Sequence, residues 1–421
     1  MSSSVPRGWL ECTVDKLATK VGSGVTPKGG SSVYQKSGVK LIRSQNVHFS
    51  GLSLDDVAYI SPEIHESMSG SKVLEGDVLL NITGASIGRC TYVPDGFGEA
   101  NVNQHVCIIR PKRDILSRYL AQWLSSDFGQ HSISIFQAGG NREGLNFQQI
   151  RGIPVSLPPL PEQQKIAAIL STVDDVIEKT RAQIDKLKDL KTGMMQELLT
   201  KGIGHTEFKD SPVGRIPVGW DVKPLTEIST FRRGSFPQPY GLPEWYSDSG
   251  YPFVQVYDIA SNGRLKPSTK VRITDAAASK SVFVARGSVA VSIQGSIGRV
   301  AITQYDAYFD RTILIFTKLN SNIDKEYFAL MIGEIFRVKK DSADGGVIKT
   351  ITKETLKDFL LKLPPIEEQK EISQALGEVD SNIRLKSEKA ARLVEVKKAL
   401  MQDLLTGKVR VNIDNKESAV A

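Results

Sequence analysis

Hydrophobic side chains recur at alternating three- and four-residue steps between Leu157 and Gly202. This spacing places them on one stripe of an α-helix and is typical of the a and d positions of a coiled coil. Pro161 fits the first turn of such a helix, Glu162 suits its positive end, and Gly202 is a typical stop. The stripe consists of Ile166, Leu170, Val173, Ile177, Ile184, Leu187, Met194 and Leu198. An apolar stripe of this length needs an apolar partner.

A second stripe lies 206 residues further along, an offset that carries Ile166 onto Ile372. It consists of Ile372, Leu376, Val379, Ile383, Leu393, Leu400 and Leu404. Residues outside the stripe repeat as well: Pro158 with Pro364, Glu162 with Glu368, Asp174 with Asp380, and Gln196 with Gln402. This indicates a duplication. We therefore predict two helices of about 38 residues, each about 57 Å long, that pack against each other. The alternative is two amphipathic helices, each in a globular core of its own.

The stretches that precede the two helices also resemble each other. The matching features are Pro-x-Gly-Trp turns that end at Trp9 and Trp220, extended runs at 39–47 and 251–259, and β-rich runs closed by glycine turns at 74–90 and 285–300. Most elements read as short strands. We predict one helix in each stretch, over 115–128 and 325–338, and a last short helix or turn over 145–153 and 351–359.

The predicted fold class is therefore α/β (α+β), with two pseudo-repeat domains joined by two long helices that pack as a coiled coil. The predicted boundaries are 1–156 for the first domain, 157–204 for the central helix, 205–362 for the second domain, 363–410 for the distal helix and 411–421 for a tail.

Positive charge is concentrated in the two repeated domains. The chain of 421 residues has a net charge of +7. Residues 1–157 hold 15 Lys and Arg against 13 Asp and Glu, and residues 216–362 hold 20 against 15. The helical regions 158–215 and 363–421 are balanced. Domains that face phosphates would show this pattern, although so small an excess is also common on solvated surfaces.

Polar positions at which the two domains differ are candidates for reading DNA, because Arg, Asn and Gln suit bidentate contacts with purine edges. Alternatives remain open: ion pairs within a domain, local backbone hydrogen bonds, phosphate contacts for the two arginines that follow glycine turns, and core packing for the tyrosine. The candidates are Arg43, Gln45, Asn46, Arg89, Asn103, Gln104, Arg142, Gln255, Tyr257, Arg299, Arg311 and Lys349.

Little in the sequence points to catalysis. The five histidines lack metal-ligand spacing, and the three cysteines form no CxxC pair, so we predict reduced thiols in the core and no metal site. An Asn/Asp-Pro-Pro-aromatic tetrad and a glycine-rich nucleotide loop are both missing. These features argue against the main competing hypothesis, a self-sufficient DNA methyltransferase or nuclease. No apolar run could span a membrane, so we expect a cytoplasmic protein without a membrane partner.

The sequence Leu-Pro-Pro-x-x-Glu-Gln, which opens each long helix at Leu157 and Leu363, resembles the specificity subunit of type I restriction-modification enzymes. The resemblance covers about residues 6–410. It implies two target-recognition domains that each bind a short half-site of double-stranded DNA, and antiparallel helices that fix the spacer. It also implies no cofactor in this chain, because the two modification subunits bind S-adenosylmethionine and methylate adenine. The restriction-translocase subunits are expected to use ATP and Mg²⁺.

Overall fold

The computed structural model describes residues 6–138, 144–341 and 353–413. The chain forms two compact units, one from residues 1–182 with 387–421 and the other from residues 183–386. Each unit contains one of the repeated domains and parts of both long helices.

Two main sheets build the first unit. The strands are β1 (Leu10–Thr13), β2 (Ala18–Ser23), β3 (Val39–Ile42), β4 (Val47–His48), β5 (Gly51–Leu52), β6 (Ala58–Ile60), β7 (Val78–Asn81), β8 (Cys90–Tyr92), β9 (Ala100–Val102), β10 (Val106–Pro111) and β11 (Pro154–Leu157). An antiparallel sheet has the order β2-β10-β7-β8, and a smaller sheet has the order β6-β3-β9, in which β3 and β9 are parallel. Strand β7 is buried along its whole length, as expected for a strand covered on both faces.

The helices of the first unit are α1 (Val14–Leu17), α2 (Pro62–Ser67), α3 (Ser117–Ser125), α4 (Asp127–Ala138), α5 (Phe147–Arg151) and the first part of α6 (Leu160–Lys201). Most of them share a core with the four-stranded sheet, whereas Ile64 of α2 packs on the core of the smaller sheet. The segment predicted as a single helix over 115–128 is α3 followed by a separate helix, α4, which the sequence analysis did not anticipate. The break falls at Ser126, whose extended backbone ends α3.

The second unit repeats this plan. Its strands are β12 (Phe208–Lys209), β13 (Ile216–Pro217), β14 (Asp221–Pro224), β15 (Ser229–Arg233), β16 (Tyr246–Val254), β17 (Val271–Ile273), β18 (Val282–Val284), β19 (Val289–Ser292), β20 (Val300–Ile302), β21 (Ala307–Phe309), β22 (Ile313–Leu319) and β23 (Leu360–Leu363). The order β15-β22-β19-β20 matches the first four-stranded sheet. The order β17-β16-β21-β18 again contains one parallel pair, β16 with β21.

The helices of the second unit are α7 (Leu225–Ile228), α8 (Asp275–Ala278), α9 (Lys325–Asp341), α10 (Lys353–Lys357) and the first part of α11 (Ile366–Leu405). Helix α9 begins at the predicted residue 325 and ends three residues after the predicted 338. Helix α10 lies within the predicted range 351–359. The long helices have 42 and 40 residues, slightly more than predicted.

In each unit, segments of α6 and α11 lie side by side and run antiparallel. In the first unit, Lys397 forms an ion pair with Asp174 over 2.6 Å. In the second unit, Lys191 forms an ion pair with Asp380 over 2.7 Å, and Lys386 Nζ donates to Gln183 Oε1 at 2.8 Å. Low-numbered positions of one helix pair with high-numbered positions of the other, which confirms the predicted packing.

The apolar stripes pack against domain residues as well as against each other. Ile166 and Leu170 share the first unit's core with Leu404, and Ile372 and Leu376 lie in the second unit's core. Farther along the helices, Val173, Leu187, Ile383 and Leu393 are only half-buried. Near the helix ends, Leu198 and Leu400 are also half-buried, whereas Leu199, Met401 and Leu405 are buried. Because domain residues surround the last turns, neighbours of the predicted stripe are buried as well.

A carboxylate that is buried in the first unit and partly buried in the second holds the start of each long helix. In the first unit, Glu162 accepts a hydrogen bond from Trp9 Nε1 at 3.2 Å and from Arg410 Nε at 2.9 Å. In the second unit, Glu368 accepts from Trp220 Nε1 at 3.0 Å and lies 2.9 Å from His205 Nε2. We call Glu162, Trp9 and Arg410 the first clasp, and Glu368, Trp220 and His205 the second clasp. The clasps join each opening tryptophan, predicted to be buried, to a long helix.

The glutamine after each clasp carboxylate forms three hydrogen bonds. Gln163 accepts from Leu116 N at 2.9 Å and donates to Asp114 O at 3.0 Å and Pro158 O at 2.9 Å. Gln369 makes equivalent contacts: it accepts from Asp324 N and donates to Asn322 O in the loop before α9, and it donates to Pro364 O just before α11. The Glu-Gln pair of the repeated sequence therefore fixes the domain to the helix.

Candidate nucleic-acid interface

The candidate residues of the first unit gather where the parallel strands β3 and β9 end. Asn103 N donates to Ile42 O at 3.1 Å, so the turn after β9 lies beside the turn after β3. Arg43 and Gln45 lie on the first turn, and Gln104 lies on the second. Topology thus brings together residues about 60 positions apart in sequence. We call this set of turns the first recognition edge.

An exposed carboxylate organises the donors of the first recognition edge. Arg43 Nη2 donates to Asp56 O at 2.7 Å and lies 3.6 Å from Asp56 Oδ2, while its guanidinium carbon lies 5.7 Å from the centre of the Tyr34 ring. Gln45 Nε2 donates to the same carboxylate. The side chain of Asp56 is 81% exposed. A phosphate or base could therefore compete for both donors without a buried group being uncovered.

Two of the candidates have structural roles. Asn46 is 1% exposed, accepts from Arg43 N at 3.0 Å and donates to Ser53 O at 3.0 Å. Asn103 is 9% exposed and accepts from His105 N at 3.1 Å. Such local backbone hydrogen bonds were the predicted alternative to DNA contact. Both amides are buried inside the turns, and a glutamine next to each of them in sequence is exposed there.

The residue equivalent to Asn46 in the second unit performs the same task. Asp258 is 1% exposed, and its carboxylate accepts from Gln255 N at 2.9 Å and from Lys270 N at 3.1 Å. Burial raises the pKa of the Asp258 carboxyl above its usual value. Asn46, predicted from the sequence to read DNA, and Asp258 therefore preserve one turn geometry in the two units.

A chain of polar contacts continues the first recognition edge. Thr26 Oγ1 donates to Gln104 Oε1 at 2.5 Å, and Gln104 Nε2 lies 2.9 Å from His105 Nε2. The other ring nitrogen of His105 lies 2.5 Å from Thr83 Oγ1. The exposed amide of Gln104 is therefore held in place by two neighbouring side chains.

The second recognition edge forms where the parallel strands β16 and β21 end. Gln255 Nε2 donates to Tyr240 OH at 2.5 Å, and Tyr257 OH donates to Gln255 Oε1. The guanidinium carbon of Arg311 lies 5.7 Å from the centre of the Tyr240 ring, and Lys270 Nζ lies 5.3 Å from that of Tyr257. Gln255 and Tyr257, from one stretch of sequence, thus meet Arg311, from another, in one cluster. Tyr257 is 37% exposed and belongs to this edge instead of a core.

The two arginines that follow glycine turns lie in different surroundings. Gly84 and Gly295 have φ angles of 71° and 73°, as expected for tight turns that favour glycine. Arg89 is half-buried, and its turn is tied to the first recognition edge because Asn81 Nδ2 donates to a backbone carbonyl there at 2.7 Å. Arg299 is exposed, but its Nη1 donates to Ile259 O at 3.3 Å within the second unit.

Arg142 and Lys349 lie outside the described residues. For all of the candidate residues, contact with DNA remains a prediction. Tyr34, Asp56, Tyr240 and Lys270 organise the two edges but were not among the residues predicted from the sequence. Their distance in sequence from the residues that they contact gave no local indication of this role.

Other chemical features of the described residues are few. Burial raises the pKa of the Cys90 and Cys107 thiols to about 12, as befits small core residues. Within residues 6–138, 144–341 and 353–413, no three His, Cys, Asp or Glu side chains are grouped so that they could hold a metal ion. No described helix is both long enough and apolar enough to span a membrane.

Comparison with known proteins identifies relatives along the whole chain. Residues 32–189 and 217–395 match the family described as the type I restriction modification DNA specificity domain. The putative type I restriction enzyme MjaX specificity subunit of Methanocaldococcus jannaschii is 27% identical over 418 residues, which cover 97% of this chain and 95% of the relative. The MjaVIII specificity subunit of the same organism is 30% identical over 62% of this chain and 63% of its own length.

Solved structures share the fold. The S subunit of a type I restriction-modification system from M. genitalium superposes with a TM-score of 0.58 at 11% identity, over 96% of this chain and 97% of that one. A chain from a type I restriction-modification complex gives the same TM-score at 17% identity, over 96% of this chain and all of the other.

Proposed function

This chain belongs to the type I restriction modification DNA specificity family, and from that premise we propose that it is the non-catalytic DNA reader of a restriction-modification complex. Each unit reads one half of a bipartite target through its recognition edge. The paired helices set the spacer between the two halves. Partner subunits then carry out adenine methylation and restriction at the site that this chain selects.

The observation that supports this proposal most directly is the contrast between scaffold and edge. Both units end a parallel strand pair in the same turn, capped by Asn46 or Asp258. The side chains that the turns present differ: Arg43 stands where the second unit has Gln255, and Gln104 stands where it has Arg311. Guanidinium and amide groups read different base edges, so two such edges would recognise two different half-sites.

The partners follow from the same proposal. This chain would assemble on double-stranded DNA with two modification subunits, which carry S-adenosylmethionine, and with restriction-translocase subunits, which use ATP and Mg²⁺. No cofactor is assigned to the chain itself. Methyl transfer or DNA cleavage by the purified chain, free of other subunits, would contradict the non-catalytic role.

Exchange of one recognition domain tests the proposal. Residues 6–155 are replaced by the corresponding segment of another family member, and the chimera is produced together with the modification subunits. Methylated adenines are then mapped by single-molecule sequencing. We expect one half of the target to change while the other half stays the same.

The reciprocal exchange of residues 217–361 is the matched control, and it should change only the other half. A chimera in which both halves change would contradict independent reading by the two units.

A further inference from the structure

A buried carboxylate lies beneath the second recognition edge. Asp310 is 3% exposed, and its backbone N–H donates to Val254 O at 3.0 Å, which places it at the end of the parallel pair. One carboxylate oxygen accepts from Thr312 N at 2.9 Å and from the hydroxyl of Thr312. The other accepts from Tyr240 OH at 2.9 Å. All of these partners lie within the second unit.

The donor and the acceptor in each of these hydrogen bonds are fixed. The Tyr240 hydroxyl donates its one proton to Asp310, so it can only accept from Gln255. Burial and the neighbouring carboxylate raise the pKa of the Tyr240 hydroxyl well above its usual value, which keeps that proton in place. The amide nitrogen of Gln255 must therefore face Tyr240, while its oxygen faces Tyr257. The buried carboxylate sets the orientation of the exposed amide.

The oriented amide retains the groups that a base contact needs. A glutamine has two N–H donors and two lone pairs on its oxygen, and Tyr240 and Tyr257 use one of each. One donor and one acceptor remain, and this is the pair that a glutamine presents to the N7 and N6 of adenine. The guanidinium of Arg311, over the ring of the same Tyr240, is exposed beside it.

We propose that Asp310 and Tyr240 are positioning residues that hold Gln255 for bidentate contact with an adenine in the half-site read by the second unit. This inference rests on the proposed function and deepens it. Gln255 touches the base, and the two other residues act through it.

Within residues 6–138 and 144–182, the first unit does not repeat this arrangement. Asn103 occupies the place of Asp310, and its oxygen accepts the equivalent backbone N–H, from His105. The ring beneath the first guanidinium is Tyr34. The effect of removing the Tyr240 hydroxyl should therefore be confined to one half of the target.

The test compares three variants of the full chain, Tyr240→Phe, Gln255→Ala and the double substitution, each assembled with the modification subunits. The target of the wild-type complex is mapped first. A double-stranded DNA library then varies every base pair of both half-sites, and methylation of each member is measured. We expect Tyr240→Phe to reduce discrimination about tenfold at one A·T pair of one half-site. Gln255→Ala should relax the same pair, and the double variant should add nothing there.

Tyr34→Phe is the matched control, because it removes a hydroxyl but keeps the ring beneath Arg43; it should leave both half-sites unchanged. The slope of log affinity against log salt concentration should be the same for Tyr240→Phe and wild type, because phosphate contacts are retained. Unchanged base preferences in Tyr240→Phe, or a loss of methylation spread evenly over all sequences, would overturn the positioning role of Tyr240 and Asp310 but not the proposed function. A wild-type complex that methylated no bipartite sequence would overturn the proposed function as well.

Discussion

The two clasps show what the duplicated architecture requires and what it tolerates. Both use a glutamate at the same helix position, and both bind the indole of the domain's opening tryptophan. The basic partner differs. Arg410 approaches Glu162 with two nitrogens and also donates to a backbone carbonyl at 3.0 Å, whereas His205 offers Glu368 a single ring nitrogen.

The contrast is sharper at the recognition edges. There the backbone turns are equivalent, but Arg43 and Gln255 share neither charge nor neighbours. The contacts that join a domain to a helix recur in both units, apart from the basic residue of each clasp, whereas the side chains presented at the exposed turns differ. Repetition therefore separates architecture from recognition in this molecule.

The largest effect is expected from the glutamines that follow the clasp carboxylates. Gln163→Ala and Gln369→Ala each remove three hydrogen bonds made by a glutamine that is at most 1% exposed, and they leave a partly buried backbone N–H without its acceptor. Each substitution should lower the free energy of local opening by about 3 kcal/mol. Hydrogen exchange read by mass spectrometry should show the loss in the unit that carries the change.

The exposed neighbour Gln164 supplies the control for these variants, and Gln164→Ala should leave exchange unchanged. If Gln163→Ala and Gln369→Ala differed from each other as much as either differs from wild type, the equivalence of the two helix starts would be broken.

Substitution of the basic residue in each clasp should lower the free energy of local opening by less, and by different amounts in the two units. Arg410→Gln removes a bidentate partner from a carboxylate that is 4% exposed, and the cost should be about 2 kcal/mol, since Arg410 itself is 43% exposed. His205→Gln should cost about 1 kcal/mol, because Glu368 keeps its bonds from the indole and from Ile203 N. Native-state hydrogen exchange of each unit measures both.

Lys408, which is 72% exposed, lies close to Arg410 in sequence, and Lys408→Gln is expected to have no effect beyond the error of the exchange measurement. A larger loss from His205→Gln than from Arg410→Gln would show that the second clasp depends on its base more than its geometry indicates.

The range of the contacts explains how much the sequence could predict. The stripes, the helix starts and the duplicated order of elements depend on local periodicity and on repetition, and the structure confirms them. The shift of burial to Leu199 and Leu405 depends on domain residues far away in sequence. Asn46 was predicted to be a reader because a buried turn cap and an exposed reader use the same kind of side chain. Asp310 lies 70 residues from Tyr240, so no local pattern could reveal that pair.

The smallest effect is expected from the duplicated ion pairs between the long helices. Asp174 with Lys397 and Asp380 with Lys191 are equivalent and about equally exposed, at 37% and 18% and at 36% and 24%. Partial exposure limits each coupling energy to about 0.5 kcal/mol, and added salt should reduce it. Double-mutant cycles with Asp→Asn and Lys→Met in each unit measure the coupling. The exposed Asp185–Lys188 pair, which is not duplicated, is the control and should give a value near zero. Matched couplings in the two units would extend the equivalence of the clasps along the helices, whereas coupling in one unit only would confine that equivalence to the helix starts.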